Sequence, residues 1–126
     1  AKANESELQG RAATIANELA ASNAGKTFLV AEVPNADGKL LQAVVDVLKN
    51  KFNGPIILAG KSDGRVALIA SVPKELTSKF QANKLIQEIA PLVDGKGGGR
   101  PENAQGAGND PAKLEEALAK ARSLLA

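Results

Sequence analysis

Asp94-Gly95-Lys96-Gly97-Gly98-Gly99-Arg100-Pro101-Glu102-Asn103-Ala104-Gln105-Gly106-Ala107-Gly108 carries six glycines in the fourteen residues after Asp94. Glycine loses more backbone freedom on ordering than any other residue, so a regular element here is disfavoured and the run reads as a loop. That reading decides the fold, because it leaves the sheet to be built entirely from upstream segments. It also gives the run a purpose. Glycines let a backbone or a ligand approach without a Cβ in the way, and consecutive amides can form an anion-binding concavity. Lys96 and Arg100 bracket Gly97, Gly98 and Gly99, so charge and open backbone coincide. A plain flexible linker is the competing reading, but such linkers do not interleave Lys, Arg, Pro and Gln among their glycines.

Upstream of the run, Asn83 to Val93 is a helix with Leu85, Ile86, Ile89, Leu92 and Val93 on its apolar face, its last turn kinked or tightened by Pro91. Pro73 to Gln81 is polar and irregular. Ile56 to Ala59 and Val66 to Val72 are strands joined by the turn Ser62-Asp63-Gly64, a hairpin. Before the breaking residues Asn53, Gly54 and Pro55, Asp37 can cap a helix from Gly38 to Phe52, with Leu41, Val44, Val45, Leu48 and Phe52 at helical spacing. Thr27 to Val33 is an apolar, partly β-branched strand ended by Pro34. Leu8, Ala12, Ile15 and Leu19 set a narrow stripe along a first helix, Glu5 to Asn23, and two heptads are too few for a coiled coil. Downstream of the run, Asp110 and Pro111 suit an N-cap and first-turn proline, and Leu114, Leu118, Ala121 and Leu125 form a buried stripe. The expected fold is α/β (α+β): a small, mixed three-stranded sheet covered by helices, with an N-terminal helical extension over residues 1–24 and a globular part over 25–126.

Composition narrows the chemistry. The 126 residues suit one core, and three phenylalanines are the only aromatics, so Leu, Ile, Val and Ala must fill it. The absence of Cys and His removes disulfides, thiol nucleophiles, imidazole bases and nearly every zinc scheme. Met, Trp and Tyr are missing too, which fits either a segment of a longer protein or a simplified alphabet. No stretch has the roughly 18 apolar residues of a membrane span and the start does not read as a signal peptide, so a soluble, cytoplasmic chain is expected. Between Lys49 and Arg100 nine basic residues face four acidic ones. Charge of that kind is a phosphate-binding patch only if the fold gathers it on one surface; otherwise it is ordinary solvated surface.

Other motifs dissolve on inspection. Gly25-Lys26-Thr27 is similar to the end of a phosphate-binding P-loop, but Ala20 stands where the first glycine belongs, and the order helix then strand is reversed. Asp37 with Asp46, and Glu115 with Glu116, have commoner roles as caps, dipole partners or solvated faces than as acid and base. A magnesium site from Asp63, Asp94 and Asp110 is conceivable, yet turns and caps explain all three. No metal-ligand set and no cofactor motif emerges.

The run Gly95-Lys96-Gly97-Gly98-Gly99-Arg100-Pro101, with Ala104-Gln105-Gly106-Ala107-Gly108, resembles the signature closing the C-terminal domain of alanyl-tRNA synthetases. That domain is related to the associated domain of Asp-His-His phosphoesterases. The order of elements on either side is similar as well. Asn103 stands where synthetases often carry a larger apolar residue, and Ala107 where glycine is common. The phosphoesterase relatives usually have His in place of Arg100. The resemblance implies an alanine-specific tRNA partner bound at its elbow, catalytic sites outside this chain, and a homodimer through the N-terminal helical segment. On it, Lys96, Gly97, Gly98, Gly99, Arg100, Gln105 and Gly106 would meet tRNA, with Lys61, Arg65 and Lys74 as further phosphate contacts. The alternatives are the substrate-binding module of an Asp-His-His phosphoesterase, and a general nucleic-acid-binding or dimerisation domain.

Overall fold

The computed structural model describes residues 2–34, 36–52, 54–62 and 64–125, and the side chains of 2–9, 34 and 62 fall outside that description. Asn53, the Asp63 of the expected turn and the side chain of Leu8 therefore lie outside the described residues. In chain order the elements are α1 (Lys2–Ser22), β1 (Leu29–Pro34), α2 (Gly38–Leu48), β2 (Ile56–Ser62), β3 (Arg65–Ser71), α3 (Ala82–Ile89), β4 (Gly95–Gly99), β5 (Asn103–Gly108) and α4 (Leu114–Leu125). The sheet order is β1-β2-β3-β5-β4, with β1 and β2 parallel and every other pair antiparallel.

The α+β class expected from sequence is the one observed, but the sheet has five strands rather than three. Both additional strands come from the glycine run, which is a hairpin rather than a loop. Its turn is Arg100-Pro101-Glu102-Asn103, closed by Arg100 N–H donating to Asn103 C=O at 2.8 Å and by Asn103 N–H returning to Arg100 C=O at 3.2 Å. The turn is also tied at two further points. Val72 N–H donates to Glu102 C=O at 2.9 Å, and Ala82 N–H donates to Pro101 C=O at 2.7 Å. The second bond satisfies a first-turn amide of α3, whose N-cap residue Gln81 makes no side-chain cap. Tertiary contacts thus supply the order that glycine propensity withholds.

Alternation along the strands divides the core in two. Ile57, Ala59, Val66, Leu68 and Ala70 point to one face, where α3 and α4 cover them. Leu29, Val33, Ile56, Leu58 and Ile69 point to the other, under α2. Each fully buried Leu or Ile contributes about 1.5–3 kcal/mol relative to exposure. α2 begins at Asp37, whose carboxylate accepts from Leu40 N–H at 3.0 Å, as the sequence predicts. α1 is not a detached extension: Ala12 and Ala16 are buried in the same cluster as α2, with Ile15 and Leu19 half-buried beside them. Pro91 tightens the end of α3 into a 3-10 turn, Ala90–Val93, which stops at Asp94 in the left-handed region with φ 55°.

One capping expectation is corrected. Asp110 makes no side-chain cap, and Pro111–Lys113 form a 3-10 turn before α4 begins at Leu114. The stripe Leu114, Leu118, Ala121 and Leu125 is buried as expected.

Candidate nucleic-acid interface

Register sorts the side chains of the glycine hairpin. Gly97 pairs with Gly106, and Gly98 with Gln105. A Cβ on Gly97 would run into Ile86 Cγ2 of α3, and one on Gly106 would lie 2.9 Å from the same methyl. The helix therefore packs directly on the hairpin backbone, and these two glycines are accounted for by that approach. Gly98 is different. A Cβ there would meet nothing closer than Gln87 Nε2 at 3.9 Å, an ordinary contact. Beside it, opposite the side that α3 covers, Lys96, Gln105 and Ala107 are exposed.

Two depressions flank this hairpin, one toward each end of its strands. The larger, of about 850 Å³, is bounded by Lys49 and Phe52 after α2, Ser71 to Glu75 after β3, and Gly98 to Arg100 with Glu102 to Gln105. Arg100 and Lys74 line it, and neither lies within 4 Å of a carboxylate among the described residues. Asn103 lines it too, and its Oδ1 is buried without a hydrogen-bond partner among the described residues. The smaller, of about 470 Å³, holds Lys96 and Arg65 with Asp94. Lys96 and Arg100 are four residues apart on extended chain, roughly 13 Å between Cα atoms, and they line different depressions. Lys61 belongs to neither and sits 3.8 Å from Glu32 on β1.

Gln105 is held in a chain of side-chain contacts. Its Nε2 donates to Gln42 Oε1 on α2, Gln42 Nε2 donates to Asp46 Oδ1 at 2.9 Å, and Lys49 Nζ lies 3.8 Å from Asp46. Sequence reasoning placed Gln105 in the site but not Gln42, Lys49, Ser71 or Asn103. Of these four only Asn103 lies within the glycine run, and only the pairing of β3 with β5 brings Ser71 beside it. Among the described residues no group of three or more His, Cys, Asp or Glu side chains is placed to hold a metal ion. No helix there is long and apolar enough to cross a membrane.

The sheet thus ends in an anchored glycine hairpin, with a basic turn beside an open cleft. The chain belongs to the DHHA1 domain family, whose model matches residues 25–126. Within it, the chain is 43% identical over 120 residues to the alanine–tRNA ligase of Pseudomonas entomophila, and 44% identical over 118 residues to that of Pseudomonas fluorescens. Those matches take in 91% and 90% of this chain but 14% of each ligase's length. In structure it is similar to the C-Ala domain of Aquifex aeolicus alanyl-tRNA synthetase, with a TM-score of 0.68 and 26% identity across 75% of this chain and 86% of that one. RecJ from Thermus thermophilus shares the fold alone, with a TM-score of 0.60 at 16% identity over 96% of this chain and 18% of that one.

Proposed function

We propose that this chain is the tRNA-binding C-terminal part of a longer alanine–tRNA ligase, working in the cytoplasm. It docks the elbow of alanine-specific tRNA so that one tRNA can engage aminoacylation and editing sites located elsewhere in that protein, and it performs no catalysis itself. The observation that carries this is Arg100: a cation on a turn fixed at both carbonyls, facing a cleft and paired with no carboxylate among the described residues. The identity to alanine–tRNA ligases supports the choice of partner.

In this reading Arg100 and Lys74 pair backbone phosphates, and Gly98 admits a ribose or base edge to the hairpin surface. Gln105, steadied by Gln42, keeps its carbonyl oxygen for the same ligand. Gly97, Gly99 and Gly106 shape the hairpin that presents these groups. Lys96 and Arg65 form a second phosphate contact at the other depression, and Lys61, already near Glu32, ranks below them. Residues 25–126 are the part that binds tRNA, and residues 1–24 are the segment through which a homodimer forms.

Replacing Arg100 by Ala removes one phosphate contact. Affinity for a tRNA transcript should fall about tenfold near 0.1 M salt, and the slope of log K against log salt should shrink by about 0.7–0.9. A filter-binding titration that finds both unchanged removes Arg100 and, with it, this reading.

A further inference from the structure

We infer that the RNA surface is not confined to the glycine hairpin but runs as a basic band across one end of the sheet, to a second phosphate-binding contact made by Lys26 and Arg122. The inference rests on the proposed tRNA function and extends its footprint to the far edge of the fold.

Register places the two sites on one line. Leu29 pairs with Ile56, Ile56 with Ser71 and Ser71 with Asn103, so these four residues cross the sheet in a single row. The segments just outside that row are therefore neighbours: Lys26 to Phe28 before β1, Gly54 and Pro55 before β2, Val72 to Lys74 after β3, and the Arg100 turn beside β5. Direct contacts bear this out. Leu29 N–H donates to Pro55 C=O at 2.9 Å, and a Cβ on Gly54 would lie 2.5 Å from Thr27 C=O.

Gly54 lines the large cleft, while Thr27 lines a depression of about 370 Å³ with Asn23, Lys26, Phe28, Val30 and Arg122. The two concavities thus lie on either side of this backbone contact, one toward α2 and the other toward α4. Lys26 and Arg122 are exposed, no carboxylate lines their depression, and neither is within 4 Å of one among the described residues. Phe28 supplies a half-buried apolar floor between them. Five strands spaced about 4.8 Å apart make the band roughly 19 Å long between its outer strands. A surface of that length, cationic at both ends and fixed to the sheet, fits the phosphodiester backbone of a folded RNA rather than a single small anion.

The test is the salt dependence of binding of the full chain to a tRNA transcript, comparing wild type with Lys26→Ala/Arg122→Ala, Arg100→Ala and Lys39→Ala. Lys39 is exposed in the first turn of α2, at the opposite end of the sheet, and serves as the charge control. The double variant should lower affinity at least tenfold and reduce the slope by about 1.4–1.8, while Lys39→Ala changes neither. Unchanged melting temperatures would show that all variants fold. If Arg100→Ala weakens binding and the double variant does not, the band ends at the hairpin and the inference is lost while the tRNA reading stands. If neither weakens binding, both fall. If Lys39→Ala lowers the slope as much per charge as the double variant does, the contact is unspecific charge and the band is wrong.

Discussion

At the residue scale, the glycines of the hairpin separate into two kinds that composition cannot distinguish. Gly97 and Gly106 face Ile86, and a methyl at Gly97 would also meet the β5 backbone, 2.6 Å from Gly106 Cα and 2.7 Å from Gln105 C=O. Gly98 faces open space. Gly97→Ala should therefore destabilise the fold by about 1–3 kcal/mol through overpacking. Gly98→Ala should leave stability unchanged or slightly raised, since Ala is the better ordered residue in extended chain. The same two variants test the binding proposal, because Gly98→Ala keeps the fold yet adds a methyl where RNA is to approach. Denaturant melts and tRNA binding measured together separate the effects. A Gly98→Ala chain that binds as tightly as wild type would remove Gly98 from the interface, and a Gly97→Ala chain of full stability would show that both α3 and the hairpin backbone can shift.

At the level of elements, α1 and α2 form one unit. α2 reads GKLLQAVVDVL, and Leu40, Leu41, Ala43, Val44, Val45 and Leu48 are all buried. That is more than one helical stripe, because one side meets β2 and β3 while α1 covers another with Ala12 and Ala16. Small residues there allow close approach. Ala16→Leu should force α1 away and cost about 1–3 kcal/mol, read as a lower denaturation midpoint at unchanged slope. A full-strength midpoint would place α1 elsewhere. The breadth of the apolar face of α2 was present in the sequence as a sign of a second cover. Hydrophobic periodicity also placed α3, α4 and the first three strands, since their apolar side chains carry the signal. β4 and β5 carry none: glycine has no side chain to alternate, and the order comes from Ile86, Val72 and Ala82 contacts that only tertiary folding creates. The one local sign was Pro101 at the second position of Arg100-Pro101-Glu102-Asn103, where a β-turn favours it. At the candidate site, Lys96, Arg100 and Gln105 stood out by charge or polarity within the run, whereas Asn103 and Lys49 needed strand pairing and the end of α2 to bring them in.

Across the whole molecule, the two ends of the sheet differ in charge. Lys26, Lys49, Lys74, Arg100 and Arg122 gather at the end where β1 and β2 begin, with Glu75, Glu102 and Asp46, the partner of Lys49, among them. At the other end Asp37, Asp94, Asp110, Glu115 and Glu116 offset Lys39, Arg65, Lys96 and Lys113. A net charge of +2 conceals this polarity, which in the proposed function orients the chain toward phosphate before contact. Aromatic stacking adds little, since Phe52 is buried and Phe28 and Phe80 are half-buried against the core. Unstructured RNA binds largely through such stacking, at about 1–3 kcal/mol per base, and this surface can give it only charge. A folded tRNA presents phosphates at fixed spacing to a band that is itself fixed by the sheet, so ordering entropy is small on both sides. Folded tRNA should accordingly compete at least tenfold better than a pyrimidine homopolymer of equal length, and the preference should persist as salt rises because it rests on shape. Competition titrations at two salt concentrations measure this. Equal competition by both RNAs would mean that the band senses charge density alone, and the chain would then be a general nucleic-acid binder.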